Sequence, residues 1–242
     1  MGTRNKAVTL IILICSSTLF AKIQRLDLVT APTAGILGHR QVLYRVDFSP
    51  YGGITGYLNI GLLDKMNLGI SYGGDNIISY NEPDFLPHLN FNFRARFLEE
   101  TVTLPAIAVG FDNQGYLPYY DGRFFYKSPG FYAVASKNYG FLYGDLSFHL
   151  GGNYTLETTD KEGPDFFAGF IYIYEFFKLT LDYRAGLDDN LDTEKRGYLN
   201  GSVGFLLEDG VEFSLLFVDM MENKGKEISM GRMLRLNILK NF

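Results

Sequence analysis

The segment from Leu86 to Phe111 restricts the fold of this chain more than any other. Between His88 and Phe97, apolar side chains alternate with polar ones without a break, which is the two-residue period of a β-strand. A second alternating run extends from Leu104 to Phe111 after an acidic turn. Such strands suit a soluble β-sandwich, or a membrane strand with lipid on its apolar side and a lumen on its polar side.

Composition favours many short strands. The chain has 242 residues, of which 47% are hydrophobic, yet no internal apolar run approaches the roughly 20 residues of a membrane-spanning helix. Its 17 Tyr, 21 Phe and 27 Gly residues are typical of strands and tight turns. A net charge of -5 argues against nucleic acid as a partner, because a phosphate backbone requires a basic face.

Residues 1–21 are predicted to form a cleaved signal peptide. Arg4 and Lys6 precede the apolar run from Ala7 to Cys15, and Ala21 is the expected last residue before cleavage. A retained anchor is the alternative, but the apolar core is only about half a membrane span. The only cysteine lies in this segment, so the mature chain is predicted to have no disulfide and no cysteine metal site.

The rest of the chain reads as twelve candidate strands with alternating short and long connections. This alternation is typical of an outer-membrane barrel with periplasmic turns and long outside loops. The predicted strands are Gln41 to Ser49, Gly53 to Leu62, Met66 to Tyr72, Pro87 to Phe97, Leu104 to Phe111, Gly130 to Lys137, Tyr143 to Tyr154, Phe166 to Tyr174, Phe177 to Arg184, Gly197 to Leu206, Val211 to Val218 and Met230 to Leu239.

The predicted fold is therefore an all-β, antiparallel, up-and-down transmembrane β-barrel of about 12 strands in the outer membrane of a Gram-negative-type envelope. Residues 22–40 are expected to be an N-terminal periplasmic lead-in, and residues 41–242 the barrel. The chain ends at Phe242 after an alternating apolar strand, as expected of a strand that barrel-assembly machinery recognises. A periplasmic β-sandwich is the structural alternative.

Several segments resemble one family of barrels. They run in the same order from Phe93 to Glu100, from Leu104 to Gly110 with Asp112 and Gly115, and from Phe131 to Lys137. Ala31 to Ala34, Phe167 to Gly169 and Leu179 to Tyr183 follow the same order. The chain resembles the YjbH-like outer-membrane barrels associated with exopolysaccharide production, many of which are much longer. The resemblance implies a non-enzymatic accessory role in the production or export of surface polysaccharide.

Charged and amide side chains on the polar strand faces are predicted to line the lumen. They would pair into a ladder that fills a small barrel, or line a narrow porin-like channel for ions or small solutes, which is the alternative function. A hydrolytic triad of Asp145, Ser147 and His149 is disfavoured, because successive members lie roughly 6 to 7 Å apart along one strand. The predicted lumen residues are Arg45, Asp47, His88, Asn90, Asn92, Arg94, Arg96, Asp145, His149, Asp182, Arg184 and Arg235.

Aromatic residues cluster in the long connection after Asp112. Rings beside charged groups suit sugar binding, but they equally suit a membrane-interface girdle or a loop folded into the barrel mouth. The acidic run from Asp188 to Glu194 lacks the Gly and Glu of a calcium loop and is expected to be a solvated outside loop. No metal or cofactor is predicted, and the expected partners are outer-membrane lipid, barrel-assembly machinery and polysaccharide. The candidate glycan contacts are Tyr116, Tyr119, Tyr120, Phe124, Phe125 and Tyr126.

Overall fold

The computed structural model describes residues 26–157, 162–189, 193–207, 210–224 and 231–242, so the predicted signal peptide lies outside the described residues. Strands dominate the described part, with a 3-10 turn at Pro50–Gly52. Among these residues no helix is long and apolar enough to cross a membrane. The strands are β1 (Gln41–Ser49), β2 (Gly53–Leu62), β3 (Met66–Asp75), β4 (Asp84–Phe85), β5 (Asn90–Leu98), β6 (Ala106–Asp112), β7 (Tyr116–Tyr120), β8 (Arg123–Tyr126), β9 (Gly130–Phe141), β10 (Gly144–Tyr154), β11 (Asp165–Tyr174), β12 (Phe177–Arg184), β13 (Tyr198–Leu207), β14 (Val211–Val218) and β15 (Gly231–Asn241).

The strands close into a single antiparallel barrel. Strand β1 pairs with both β2 and β15, and each further strand pairs with its neighbours around to β3, which closes onto β2. The sheet has 13 strands, but β4 is a two-residue strand at the end of β3, which leaves twelve in the barrel wall. The prediction of a twelve-stranded, all-β barrel is confirmed. Strands β1, β2, β12 and β14 have the predicted bounds.

The outer surface of the barrel carries two belts of aromatic residues. Near the end with the short turns, Tyr139 packs on Phe148 and Phe141 on Tyr172, while Phe131 lies near the end with the long loops. From Phe131 to Phe141, strand β9 rises about 33 Å at ~3.3 Å per residue, or about 25 Å along the barrel axis at a tilt of ~40°. This is the height of the lipid-facing band of an outer-membrane barrel, so the outward apolar residues face lipid.

The interior of the barrel is filled from both ends. A segment that we call the plug, residues 26–38, lies inside the barrel from the turn end, and nearly all of it is buried. The structure thus differs from the expected periplasmic lead-in: residues 26–38 are inside the barrel, while residues 22–25 are outside the described residues. From the loop end, the hairpin of β7 and β8 folds into the mouth and buries Leu117, Phe124 and Tyr126.

Candidate functional site

The plug is anchored where it enters the barrel at the turn end. The backbone N–H of His39 donates to Asp64 Oδ1 at 2.9 Å, next to the turn between β2 and β3. Farther in, the N–H of Leu37 donates to Asn67 Oδ1 at 3.0 Å, and the N–H of Ala34 donates to Ser136 Oγ at 2.9 Å. Side chains of the wall therefore take the place of the sheet partners that this extended backbone lacks.

The inner end of the plug is a compact turn from Asp27 to Pro32, held by the N–H of Leu28, which donates to the carbonyl of Ala31 at 2.9 Å. Asp182, on β12, binds this turn through both of its oxygens. It accepts hydrogen bonds from the N–H groups of Val29 and Thr30 at 2.7 and 3.1 Å, and from Thr30 Oγ1 at 2.8 Å. The lumen thus satisfies backbone donors that would be costly to bury unpaired.

Two arginines of the wall converge on the carboxylate of Asp27. Arg94 Nη2 lies 2.6 Å from Oδ1, and Arg45 Nη2 contacts Oδ2. Arg94 also donates to the plug carbonyls of Leu26 and Gly35, at 2.6 and 3.0 Å. Burial raises the pKa of Asp27, but the guanidiniums of Arg94 and Arg45 lower it more, so this pKa lies well below its usual range.

Other charged residues of the lumen pair within the wall. Arg235 binds both oxygens of Asp47 at 2.8 Å, and Lys178 Nζ lies 2.9 Å from Glu212 Oε1. Arg235 and Asp47 are on the adjacent strands β15 and β1, whereas Lys178 on β12 reaches across β13 to Glu212 on β14. Both contacts are buried and charge-assisted, so both pairs stay neutral without help from the plug. These pairs form the ladder of opposite charges that was the first of the two predicted arrangements of the lumen residues.

The plug and the hairpin of β7 and β8 meet near the middle of the barrel. Tyr116 Oη donates to the carbonyl of Val29 at 2.6 Å and is itself within 2.9 Å of Arg235 Nη2. Tyr126 packs in the same buried cluster as Val29. The two insertions therefore contact each other directly, and together they interrupt the path along the lumen.

One side of the inner wall is apolar, a feature that the sequence reasoning missed. Val134, Phe167 and Ile171 point inward and pack with Leu28 of the plug. The available signal was the apolar run from Phe166 to Ile173, in which both faces of the strand are hydrophobic apart from Gly169. Strands buried on both faces lose the alternation between apolar and polar residues.

Glycine makes room for the plug at two positions of the wall. A Cβ on Gly61 would lie 2.1 Å from the carbonyl oxygen of Gly38 and 2.7 Å from the Cβ of Leu37. A Cβ on Gly169 would lie 2.9 Å from Leu28 Cδ1 and also crowd the backbone of β12. The fit of wall to plug is therefore tight at both places.

Polar cavities remain around the plug. The central one, of about 60 Å³, is bordered by Asp27, Arg45, Arg94, Asp112 and Tyr116. It has room for a few water molecules and is too small for a sugar ring. A wider cavity of about 260 Å³ opens at the turn end between the plug and Arg96. The described residues therefore form a closed barrel with a polar vestibule.

Most of the predicted lumen residues do lie inside the barrel or at its inner rim. Arg184 donates to the carbonyl of Lys127 at 3.1 Å at the loop end. Two residues lie elsewhere: His88 is exposed in the connection before β5, against the ring of Tyr119, and Asp145 is exposed at the turn end of β10. Those placed inside are Arg45, Asp47, Asn90, Asn92, Arg94, Arg96, His149, Asp182, Arg184 and Arg235.

Ser147 and His149 have separate partners. Ser147 Oγ donates to Asn138 Oδ1 at 2.6 Å, whereas His149 Nδ1 lies 2.7 Å from Ser136 Oγ. Ser136 Oγ in turn accepts the N–H of Ala34 in the plug. Ser147 therefore links two strands of the wall, and His149 supports Ser136, which anchors the plug. These are structural roles at two of the three positions considered for a hydrolytic triad.

The aromatic connection is mostly occupied by its own packing. Phe124 is 1% exposed and Tyr126 is 8% exposed, whereas Tyr120 is 61% exposed. Tyr116, Tyr119 and Phe125 are half-buried. Of the six candidate glycan contacts, Tyr120 is thus the one with most of its ring open to solvent.

The acidic connection after β12 is buried at Asp188 and Asp189, which corrects the expected solvated loop there, whereas Glu194 is exposed as expected. Asp188 pairs with Lys127, and Asp189 lies 3.0 Å from Arg123 Nη2 and 2.9 Å from the hydroxyl of Tyr198. Burial lowers the pKa of Lys127 to about 8, so its ammonium stays charged at neutral pH. Residues 190–192 lie outside the described residues.

Fold and lumen together define the class of protein, a closed antiparallel β-barrel of the outer membrane. No protein-family model and no curated protein sequence matches the chain. Among solved structures, the KdgM porin has a TM-score of 0.50 at 11% identity, over 84% of this chain and 99% of that one. The NanC porin has a TM-score of 0.50 at 6% identity, over 83% and 99%. Omp33 of Acinetobacter baumannii has a TM-score of 0.45 at 10% identity, over 84% and 97%. At these identities the likeness concerns the fold alone.

Proposed function

We propose that this chain is a porin-like channel, without enzymatic activity, that conducts ions or small hydrophilic solutes across the outer membrane when the turn at the inner end of the plug leaves its place. The observation that carries the proposal is the charged inner wall, which holds the plug through polar contacts. Arg45, Arg94 and Asp182 bind plug groups rather than each other, so water could solvate them if the plug moved. A barrel needed only as a solid support could be filled with apolar side chains at lower cost.

The similarity in fold to two proteins described as porins supports this choice over the accessory role. The role in polysaccharide production and the membership of the YjbH-like family rest on the sequence resemblance alone. Contacts with barrel-assembly machinery through Phe242 likewise remain a prediction; its ring is 70% exposed at the turn end.

The test is single-channel recording in planar bilayers with the full chain and with a variant that lacks residues 26–38. Both proteins must first show folded barrels, as bands whose apparent size changes on boiling. We expect rare, brief openings for the full chain and stable conductance steps for the deletion variant. Absence of conductance in a folded deletion variant would overturn the channel function.

A polysaccharide accessory would behave differently. Replacement of the exposed Tyr120 by Ala leaves the buried part of the hairpin intact and removes a ring available for stacking on sugar. In a strain that depends on this chain for polymer export, we expect normal export with Tyr120→Ala. Lower export from a folded, normally closed Tyr120→Ala barrel would favour the accessory role.

A further inference from the structure

We propose that Arg45 and Arg94 form a binding site for the carboxylate group of a small solute, and that Asp27 of the plug occupies this site in the closed barrel. This inference rests on the proposed channel function. The carboxylate of Asp27 acts as an internal stand-in for that ligand. Solute and plug then compete for the same two guanidiniums.

The site is built by the barrel wall rather than by the plug. Arg45 comes from β1, where its Nε donates to Asn237 Oδ1 at 3.1 Å and its guanidinium lies over the ring of Tyr57. Arg94 comes from β5, where its Nε donates to Tyr132 Oη at 3.0 Å. These wall contacts hold both guanidiniums in place and leave their terminal nitrogens directed at the central cavity.

The geometry selects a carboxylate. Each oxygen of Asp27 binds a different arginine, Oδ1 to Arg94 and Oδ2 to Arg45, so one planar group with two oxygens bridges the pair. Charge-assisted contacts of this kind are among the strongest that a protein forms with carboxylates. A cation or a neutral sugar would leave both guanidiniums unpaired.

Charge balance favours an anion once Asp27 has left. Among the residues that the structure describes, no other carboxylate is in ion-pair contact with Arg45 or Arg94. Asp112 borders the same cavity, but its Oδ1 accepts a hydrogen bond from the N–H of Gln114 at 2.9 Å. Two guanidiniums left unpaired in a narrow lumen are costly, and an incoming carboxylate removes that cost.

Competition makes the ligand an opener of its own path. A ligand that binds only the barrel with its plug displaced shifts the population toward that state by mass action. A solute carboxylate therefore raises the fraction of barrels in which the turn from Asp27 to Pro32 is out of place. A neutral solute of the same size does not.

Accessibility of the plug tests the site without any need for conductance. In an Ala31→Cys variant, a cysteine replaces a side chain that is 4% exposed in the turn, and the natural Cys15 belongs to the predicted signal peptide. The rate of maleimide labelling in detergent then measures how often the turn is displaced. We expect sodium gluconate to raise this rate at least tenfold, or about 1.4 kcal/mol, over sodium chloride at equal ionic strength, and sorbitol to have no effect.

Matched arginine variants locate the effect. Arg94→Gln on the Ala31→Cys background should label faster without ligand and show no further response to gluconate. Arg196→Gln, at an exposed loop residue whose guanidinium lies beside Glu194 and the carbonyl of Met221, should respond as the parent does. An equal response to gluconate and chloride, or a full gluconate response in Arg94→Gln, would refute the site.

Recording with the variant that lacks residues 26–38 separates the two proposals. If it conducts, we expect gluconate to reduce the chloride current, and Arg94→Gln to weaken that block at least tenfold. If it conducts and gluconate has no effect, the site is wrong and the channel stands. If it does not conduct but gluconate still accelerates labelling in the full chain, the channel function is wrong and the site stands.

Discussion

Replacement of Asp182 by Ala should release the inner turn of the plug while the barrel stays folded. Asp182 accepts three hydrogen bonds from Val29 and Thr30, and a fourth from Asn200 Nδ2 at 2.8 Å. The substitution removes the acceptor from three plug donors at once. The backbone ladder of β12 with β11 and β13 does not involve this side chain.

The expected loss follows from these contacts. A hydrogen bond to a charged group contributes about 1.5 to 3 kcal/mol, so three would sum to about 4.5 to 9 kcal/mol if they were additive. They share one acceptor, and a water molecule can enter the space left by the carboxylate, so the sum overstates the effect. We take about 3 to 4 kcal/mol for docking of the turn, which corresponds to a factor of roughly 10² to 10³ in its displaced fraction.

Maleimide labelling of Ala31→Cys measures that fraction, because labelling tracks the open population when opening and closing are fast. Asp182→Ala should raise the rate by the stated factor and leave the change in gel mobility on boiling intact. Asn153→Ala is the matched control: it removes a buried side chain of the same wall whose Nδ2 donates to the carbonyl of Pro129 at 2.9 Å, and not to a plug group. An unchanged labelling rate in folded Asp182→Ala protein would refute the assignment of Asp182 as an anchor.

Three further results are expected. Two guanidiniums hold the pKa of Asp27 below its usual range. Its ion pairs therefore persist above the ordinary aspartate pKa of about 3.8 and are lost only as the pH falls below that value. A conductance that rises between pH 8 and pH 5 would contradict this expectation. Asp188→Asn should leave Lys127 without its buried partner, which lowers the stability by about 3 to 5 kcal/mol and exposes the hairpin connection to trypsin. Glu194→Gln, at an exposed residue, should have neither effect. Gly61→Ala places a Cβ against the plug entrance and should raise Ala31→Cys labelling, with no change expected for alanine at the open Gly140.

The barrel wall could be predicted because its physics is local. Each wall strand faces lipid on one side, so the two-residue period appears in the sequence, and the turns at 63–65 and 175–176 are too short for anything except a hairpin. Where the prediction placed strand ends differently, as at Lys137 instead of Phe141, the strand continues through the aromatic belt to the turn. The alternation between outward and inward side chains does not change at Lys137, so the sequence gives no signal for the end of the strand.

The plug could not be predicted in the same way. Residues 26–38 follow no period, because their backbone is satisfied one group at a time by Asn67, Ser136 and Asp182 from strands far away in sequence. The buried pair of Lys127 and Asp188 poses the same problem, since two charged residues of outside connections read as solvated until the connections fold together. Contacts of this kind depend on tertiary structure, and helix or strand propensities carry no information about them.

The inner wall has an apolar part and a charged part, and this difference restricts how the barrel can open. If the whole plug left, water would reach Val134, Phe167 and Ile171, and each large apolar side chain exposed costs about 1.5 to 3 kcal/mol. On β1 and β5, Arg45 and Arg94 contact plug groups through charges that water or an anion can satisfy. The less costly movement is therefore a displacement of the turn around Asp27 alone, with residues 33–38 still covering the turn end of the apolar wall. The open path then runs along the arginine side, where a passing carboxylate meets both guanidiniums.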